Sequence, residues 1–150
     1  MPLFGEKFKG MDQSPEIRVG GCRCGAIRYV VQGPPLGGIA CHCRDCQYAA
    51  GGSFNLSWIF HSSGFSVSNG EPKVFKAGKY SGGSSFCANC GVQIFSRPDS
   101  NPNLVAIKVG SLDDASGFQI DAYMWMSSAP DWHQLHDGAA QYQKNIPSSQ

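Results

Sequence analysis

Apolar residues are gathered into six short stretches of this chain, each rich in β-branched and aromatic side chains, a composition typical of β-strands. Clusters of Gly, Pro, Ser and Asn separate the stretches and favour turns, because these residues set the backbone dihedrals that turns need. The predicted strands are residues 26–33, 53–60, 72–77, 92–96, 103–112 and 118–126. The pattern therefore predicts a mainly β fold.

Helix is favoured in only two places. One is residues 47–51, directly after a cysteine-rich loop, and the other is a turn or two within residues 130–143. The polar C-terminal residues are expected to lie across the sheet surface and not in the core. A chain of 150 residues without a break in composition predicts one domain. We expect an N-terminal extension over residues 1–18, the domain itself over 19–142 and a tail over 143–150.

The charge of the chain limits the classes of partner that it could bind. Twelve Lys and Arg against eleven Asp and Glu give a formal charge of +1, and no run of like charge could follow a phosphate backbone or an anionic membrane. Nucleic acid and membrane partners are therefore not expected. The N-terminal residues lack the apolar region of a signal peptide, and no segment reaches the ~20 apolar residues of a membrane span. We expect a cytoplasmic protein, and the pattern does not indicate its oligomeric state.

Seven cysteines fall into three groups. Their order is C-x-C at Cys22 and Cys24, C-x-C-x-x-C at Cys41, Cys43 and Cys46, and C-x-x-C at Cys87 and Cys90. Free cysteines used as small apolar residues would be scattered, and an odd count without an export signal disfavours a disulfide framework. The grouping therefore favours metal binding.

The seven sulfurs divide into four and three. A structural zinc site is closed by four protein ligands, whereas a catalytic site keeps three and leaves one position for water or substrate. Residues two apart on a strand face the same side, so Cys22 and Cys24 are expected to reach one ion, with Cys87 and Cys90 completing its four ligands. Gly25 and Gly91 follow the two pairs and are expected to allow tight turns whose N–H groups point at the sulfurs.

The loop of Cys41, Cys43 and Cys46 then holds a second ion with an open face, and two zinc ions per chain are expected. His42 is the alternative fourth ligand, which would close this site. We expect it to face away, because neighbouring residues of an extended segment point to opposite sides. The other histidines, His61, His133 and His136, are expected to be surface or packing residues.

These motifs carry a resemblance. The segments "GGCRCGAIRY", "CHCRDC", "FCANCGVQIFSRP" and "VGSLDD", in this order and spacing, resemble the glutathione-dependent formaldehyde-activating family, to which centromere protein V is related. The resemblance extends from Val19 to about Tyr142. It implies a zinc-stapled β-tent of antiparallel sheets, with Cys22, Cys24, Cys87 and Cys90 as the structural site. The three remaining cysteines match the family's labile, substrate-facing site.

The resemblance implies an enzyme, a carbon–sulfur lyase or synthase of the S-hydroxymethylglutathione type, with glutathione or another thiol adduct as partner. Many relatives have Lys or Arg at the two positions after the third cysteine of the loop, where this chain has Gln47 and Tyr48. These two residues, with Arg44 and Ser53, are the candidate substrate contacts. Two other functions remain open: a zinc-stabilised module that carries a thiol or binds a protein without catalysis, and a redox protein that releases zinc when its cysteines are oxidised.

Overall fold

A computed structural model describes residues 16–78, 82–133 and 138–147, and in these ranges the chain is mainly β, as predicted. One helix, α1 (Arg44–Ala50), and three short 3₁₀ turns (Ser62–Gly64, Val109–Ser111 and Met126–Ser128) accompany the strands of this part of the chain. The strands are β1 (Ile17–Gly21), β2 (Arg28–Gln32), β3 (Gly37–Cys41), β4 (Asn55–His61), β5 (Phe65–Asn69), β6 (Lys73–Phe75), β7 (Ser84–Phe86), β8 (Gln93–Ser96), β9 (Leu104–Lys108), β10 (Ala122–Met124) and β11 (Ala140–Gln141). None of the helices in these ranges has the length and apolar character needed to cross a bilayer.

The strands form two sheets. A three-stranded sheet has the order β1-β2-β5, and an eight-stranded sheet has the order β11-β10-β3-β4-β9-β8-β7-β6. Most neighbours are antiparallel, but β10 runs parallel to both β3 and β11. The expectation of antiparallel sheets is therefore wrong at this edge, because the chain crosses over from β9 before it enters β10, as a parallel pair requires.

The two sheets share one hydrophobic core. Tyr29 and Val31 of β2 and Phe65 of β5 belong to the same buried cluster as residues of β4, β8 and β9. The rings of Phe65 and Phe95, one from each sheet, have centroids 4.6 Å apart. A single core across both sheets confirms the prediction of one domain.

Tyr29 carries the one ionisable phenol of this core cluster in the described residues. Its hydroxyl lies 2.9 Å from the Ser111 hydroxyl oxygen, which in turn donates to the Lys108 carbonyl oxygen at 2.7 Å. Burial raises the pKa of Tyr29 to about 12, above its ordinary value of 10. The folded protein therefore favours the neutral phenol.

We expect this burial to make the protein sensitive to alkali. Because the folded pKa lies above the unfolded one, the stabilisation is complete below pH 10 and is lost as the pH rises towards 12. Raising the pKa from 10 to about 12 corresponds to a loss of up to about 3 kcal/mol in the free energy of unfolding at high pH. Urea unfolding of the zinc-loaded protein at several pH values measures this effect. Between pH 10 and 12 the free energy of unfolding should fall less for Tyr29→Phe than for wild type. An equal fall in both proteins would show that Tyr29 is not responsible.

The strand predictions succeed where apolar residues dominate. Strands β2, β4, β6 and β8 coincide with predicted stretches, and β9 and β10 occupy shorter parts of theirs. Strands β1, β3, β5, β7 and β11 were not predicted, since they are rich in Gly or Ser or very short. Of the helical turn expected within residues 130–143, the structure describes 130–133, which form a turn, and 138–143, which contain β11; residues 134–137 lie outside the described residues. Helix α1 begins three residues before the predicted segment.

Candidate metal centres

Two cysteine clusters stand out among the described residues. In each cluster every pair of sulfurs lies within 4.8 Å. The first cluster is Cys22, Cys24, Cys87 and Cys90, and the second is Cys41, Cys43 and Cys46. This is the division into four and three that the sequence predicts.

The four-cysteine cluster lies between two hairpin loops. Cys22 donates its backbone N–H to the Ile27 carbonyl, which places Cys22 and Cys24 in the loop between β1 and β2. Cys87 does the same with Val92, in the loop between β7 and β8. Because β1 and β2 belong to the small sheet and β7 and β8 to the large one, this cluster joins the two sheets.

The spacing of its sulfurs fits a tetrahedral ion. The Cys22 and Cys24 sulfurs are 3.5 Å apart, and those of Cys24 and Cys87 are 3.8 Å apart. A tetrahedron with zinc–sulfur bonds of about 2.3 Å has edges of about 3.8 Å. The donor set and its spacing therefore fit zinc.

Backbone N–H groups point at these sulfurs, as expected from the two glycines. The Ile27 N–H donates to the Cys22 sulfur at 3.2 Å. A hydrogen bond from the Val92 N–H lowers the pKa of Cys90. Gly25 and Gly91 have φ of 81° and 76°, a left-handed conformation that glycine adopts without strain. The Val92 hydrogen bond thus favours the thiolate form of Cys90, the form that binds metal, whereas the pKa of Cys87 is raised to about 11.

One premise of the prediction is wrong in detail. Cys22 and Cys24 were expected to share the face of a strand, but β1 ends at Gly21 and both cysteines lie in the turn that follows. The turn brings their sulfurs together instead. The pairing was predicted correctly, although the geometry behind it is that of a hairpin loop.

The three-cysteine cluster is built on the junction between β3 and α1. Cys41 is the last residue of β3, Cys43 is the N-cap of α1, and Cys46 lies in the first turn of that helix. The Cys46 N–H donates to the Cys43 sulfur at 3.4 Å, the bond of a helix cap. Strand end and helix start thus hold three sulfurs in one place, where a metal could bind.

Negative charge in this cluster falls first on Cys43. Hydrogen bonds from the thiols of Cys41 and Cys46 lower the pKa of Cys43 to about 2. The same contacts, with Cys41 as donor, raise the pKa of Cys41. A thiolate at the helix N-terminus is also favoured by the helix dipole.

His42 faces away from the three sulfurs, as predicted. Its side chain is 0% exposed and packs against Phe54, Tyr123 and His133. Nδ1 lies 3.2 Å from the Met124 carbonyl oxygen, and because a carbonyl only accepts, Nδ1 carries the hydrogen. Burial lowers the pKa of His42, so the neutral ring is favoured.

The segment after β10, which includes Ser128 and His133, packs beside this loop and is called the wall. The Gln47 side-chain amide donates to the carbonyls of His42 and Ser128, both at 2.8 Å. The Ser53 hydroxyl lies 3.1 Å from His133 Nδ1. Gln47 therefore ties α1 to the wall. His61 is exposed, and His136 lies outside the described residues.

An open cleft of about 620 Å³ lies between the end of α1, the start of β4 and the end of β9; the three cysteines are not among its lining residues. Tyr48, 79% exposed, lies at its edge, and the Arg44 guanidinium stacks on the Tyr48 ring at 4.9 Å. The cleft is lined by Tyr48, Ala49, Ala50, Phe54, Asn55, Leu56, Gly91, Val92, Gln93, Lys108, Gly110 and Ser111.

Lys108 is the functional candidate that the sequence did not reveal. It lies at the end of β9, lines the cleft, and its charge interacts with Cys46, Cys41 and Cys43. Burial lowers the pKa of Lys108, whereas the three sulfurs oppose that change. In the sequence it is one polar residue at the end of an apolar stretch, and only strand pairing places it near the cysteines.

Fold and clusters together define a small β protein with two cysteine sites suited to metal ions. The family model described as glutathione-dependent formaldehyde-activating enzyme matches residues 17–128, most of the chain. The chain belongs to this family. A crystal structure of a Rhodobacter sphaeroides protein is similar in fold, with a TM-score of 0.56, 22% identity, and coverage of 66% of this chain and 91% of the other.

Proposed function

We propose that this protein makes and breaks the carbon–sulfur bond of a thiol adduct, with glutathione as the thiol, at a zinc ion held by Cys41, Cys43 and Cys46. The observation that carries the proposal is the cluster of three sulfurs, to which no other His, Cys, Asp or Glu of the described residues adds a ligand. Three protein ligands leave one coordination position for a substrate sulfur. We propose that the rest of the thiol occupies the cleft that begins at Tyr48, near the end of helix α1.

The two clusters have separate roles in this proposal. Cys22, Cys24, Cys87 and Cys90 hold a structural zinc that stabilises the fold, so the chain binds two ions. At the second cluster, a bound zinc supplies a Lewis acid that favours the thiolate form of the substrate. The protein's own task there is to fix three sulfurs at the start of α1 and to exclude further ligands.

The proposed reaction conserves every atom. In the forward direction the thiol sulfur bonds to the carbonyl carbon of formaldehyde, the C=O π pair moves to oxygen, and the thiol proton ends on that oxygen. The product is S-hydroxymethylglutathione, and the reverse reaction cleaves the same carbon–sulfur bond. The protein contributes chiefly by holding the thiol near the cluster in one orientation.

We propose that two of the four candidate residues, Arg44 and Tyr48, contact the substrate. Arg44 and Tyr48 stand together beside the cleft, where the guanidinium offers a partner for a glutathione carboxylate. Gln47 uses both amide hydrogens within the protein, so we propose that it positions the loop. Ser53 acts in the same way through His133. A glutathione substrate is consistent with a place in the cytoplasm.

Zinc stoichiometry and product formation test this function. We expect two zinc ions per chain, with the occupancy of one rising when glutathione is present. NMR should show S-hydroxymethylglutathione exchanging with formaldehyde and glutathione faster than in protein-free buffer. Thiol-dependent occupancy without faster exchange would support a thiol-carrying module instead. One tightly held ion whose occupancy does not depend on thiol would contradict both the lyase and the thiol-carrying module. Release of zinc on treatment with peroxide would favour a redox role.

A further inference from the structure

We propose that the Lys108 ammonium is a fixed counter-charge that lets the three-cysteine site accept its fourth sulfur as a thiolate. The inference rests on the proposed function, since it concerns the same site. It assigns to Lys108 the selection of an anionic ligand over a neutral one. Lys108 is thus a positioning residue that acts through charge.

The position of Lys108 is set by the sheet and by two hydrogen bonds. Lys108 pairs with Ser57 of β4, and its ammonium donates to the Ser57 hydroxyl oxygen at 3.3 Å. Its backbone carbonyl accepts from the Ser111 hydroxyl at 2.7 Å. Ser57 and Ser111 are both buried. A lysine held at both ends in this way presents its charge at a defined place.

The charge lies on the sheet face that carries the first cysteine of the cluster. Ser57 pairs with Lys108 on one side and with Ile39 of β3 on the other, and Cys41, two residues after Ile39, points to the same face. Burial lowers the pKa of Lys108, whereas the three sulfurs of the cluster favour its charged form. In the part of the chain that the structure describes, the ammonium has one hydrogen-bond partner, the Ser57 hydroxyl, which uses one of its three hydrogens. Among the described residues, its ammonium forms no ion pair with a carboxylate within 4.0 Å.

Charge balance explains why such a cation matters. Three thiolates and one divalent ion have a net charge of −1, so a fourth thiolate brings the site to −2. With Lys108 the total returns to −1. In a partly buried site this compensation stabilises the anionic ligand, while a neutral ligand gains little from it.

Cobalt spectroscopy of a hybrid protein tests the inference without an activity assay. Zinc is kept in the four-cysteine site and Co²⁺ is added to the other, where thiolate-to-cobalt absorption reports the ligands. The probes are 2-mercaptoethanol, which binds as a thiolate without a carboxylate, and imidazole, which binds as a neutral molecule. At pH 7.5, Lys108→Met should lower the affinity for 2-mercaptoethanol by ~10-fold or more, the effect typical of groups next to metal ligands. Imidazole affinity should change less than twofold.

Two further variants guard the interpretation. Lys108→Arg keeps the charge and should restore most of the 2-mercaptoethanol affinity. Lys73→Met removes an exposed lysine from β6 and should change neither affinity. Equal 2-mercaptoethanol affinity in wild type and Lys108→Met would overturn the inference. So would weakening limited to 3-mercaptopropionate, because Lys108 would then anchor a carboxylate. If wild type itself binds no thiol at cobalt, the proposed function fails first.

Discussion

Replacement of Cys87 by serine is expected to leave the protein largely unfolded under conditions where wild type is stable. Cys87 is buried and joins the loop of the large sheet to Cys24, 63 residues earlier in the chain. Structural zinc sites contribute on the order of 10–16 kcal/mol of apparent binding free energy, comparable with the whole stability of about 5–15 kcal/mol of a small domain. Loss of one ligand from a closed site therefore removes a large part of the stability.

Circular dichroism and metal analysis would measure this effect. The variant should contain at most one zinc ion and should show either no cooperative thermal transition or one at least about 15 °C lower. Wild type treated with a strong chelator should behave similarly once its tighter ion is removed. A Cys87→Ser protein that melts within a few degrees of wild type would show that the four-cysteine cluster does not stabilise the fold.

Replacement of Cys46 by alanine is expected to have the opposite profile: thiol binding is lost and the fold is retained. Its backbone N–H, which caps α1 through the Cys43 sulfur, remains in the variant. Cys41 and Cys43 alone leave the ion with two protein ligands. Loss of a group that only hydrogen-bonds to a metal ligand already lowers metal affinity by ~10–100-fold, so loss of a ligand should lower it by at least ~100-fold. The protein-dependent exchange of S-hydroxymethylglutathione with formaldehyde and glutathione should slow with it.

The two cysteine variants serve as controls for each other. Cys46→Ala should keep one zinc ion per chain and a thermal midpoint within a few degrees of wild type, whereas Cys87→Ser should not. Isothermal titration with zinc gives the affinities directly. If zinc occupancy still depended on thiol in Cys46→Ala, Cys46 would not be a ligand. If both variants were unfolded, the two clusters would not have separate roles.

The cysteine clusters were predictable because ligand spacing is a local property of the sequence. C-x-C-x-x-C places three sulfurs within six residues, so no knowledge of the fold is needed to bring Cys41, Cys43 and Cys46 together. The pairing of Cys22 with Cys87 depends on the fold. It could be predicted only because the chemistry of a closed site requires four ligands and two pairs were left over.

Strand β3 shows why part of the fold was missed. Its Gly37 and Gly38 resemble turn residues, yet a Cβ atom at Gly38 would lie 1.8 Å from the Gln119 carbonyl oxygen. Glycine is needed there for close contact with a segment 81 residues away, and Asp121 accepts the Gly38 N–H at 2.8 Å. The composition of a strand does not reveal such a contact.

Lys108 and the wall around His42 were missed for a similar reason. Lys108 reaches the cysteines only because β9 pairs with β4, which pairs with β3. His42 was expected to point away from the ion, but its partners Met124 and His133 come from far along the chain. Local patterns predict which residues bind metal, whereas the residues that adjust the site depend on long-range pairing.

The parallel pairing of β10 with β3 also gives the two cysteine clusters an order of completion. All four residues of the first cluster precede Gly91, so a nascent chain can bring these cysteines together while the rest of the chain is still being translated. The loop of Cys41, Cys43 and Cys46 emerges earlier but obtains its Met124, Ser128 and His133 contacts only later. During synthesis, the four-cysteine cluster is therefore expected to be complete before the surroundings of the three-cysteine cluster are.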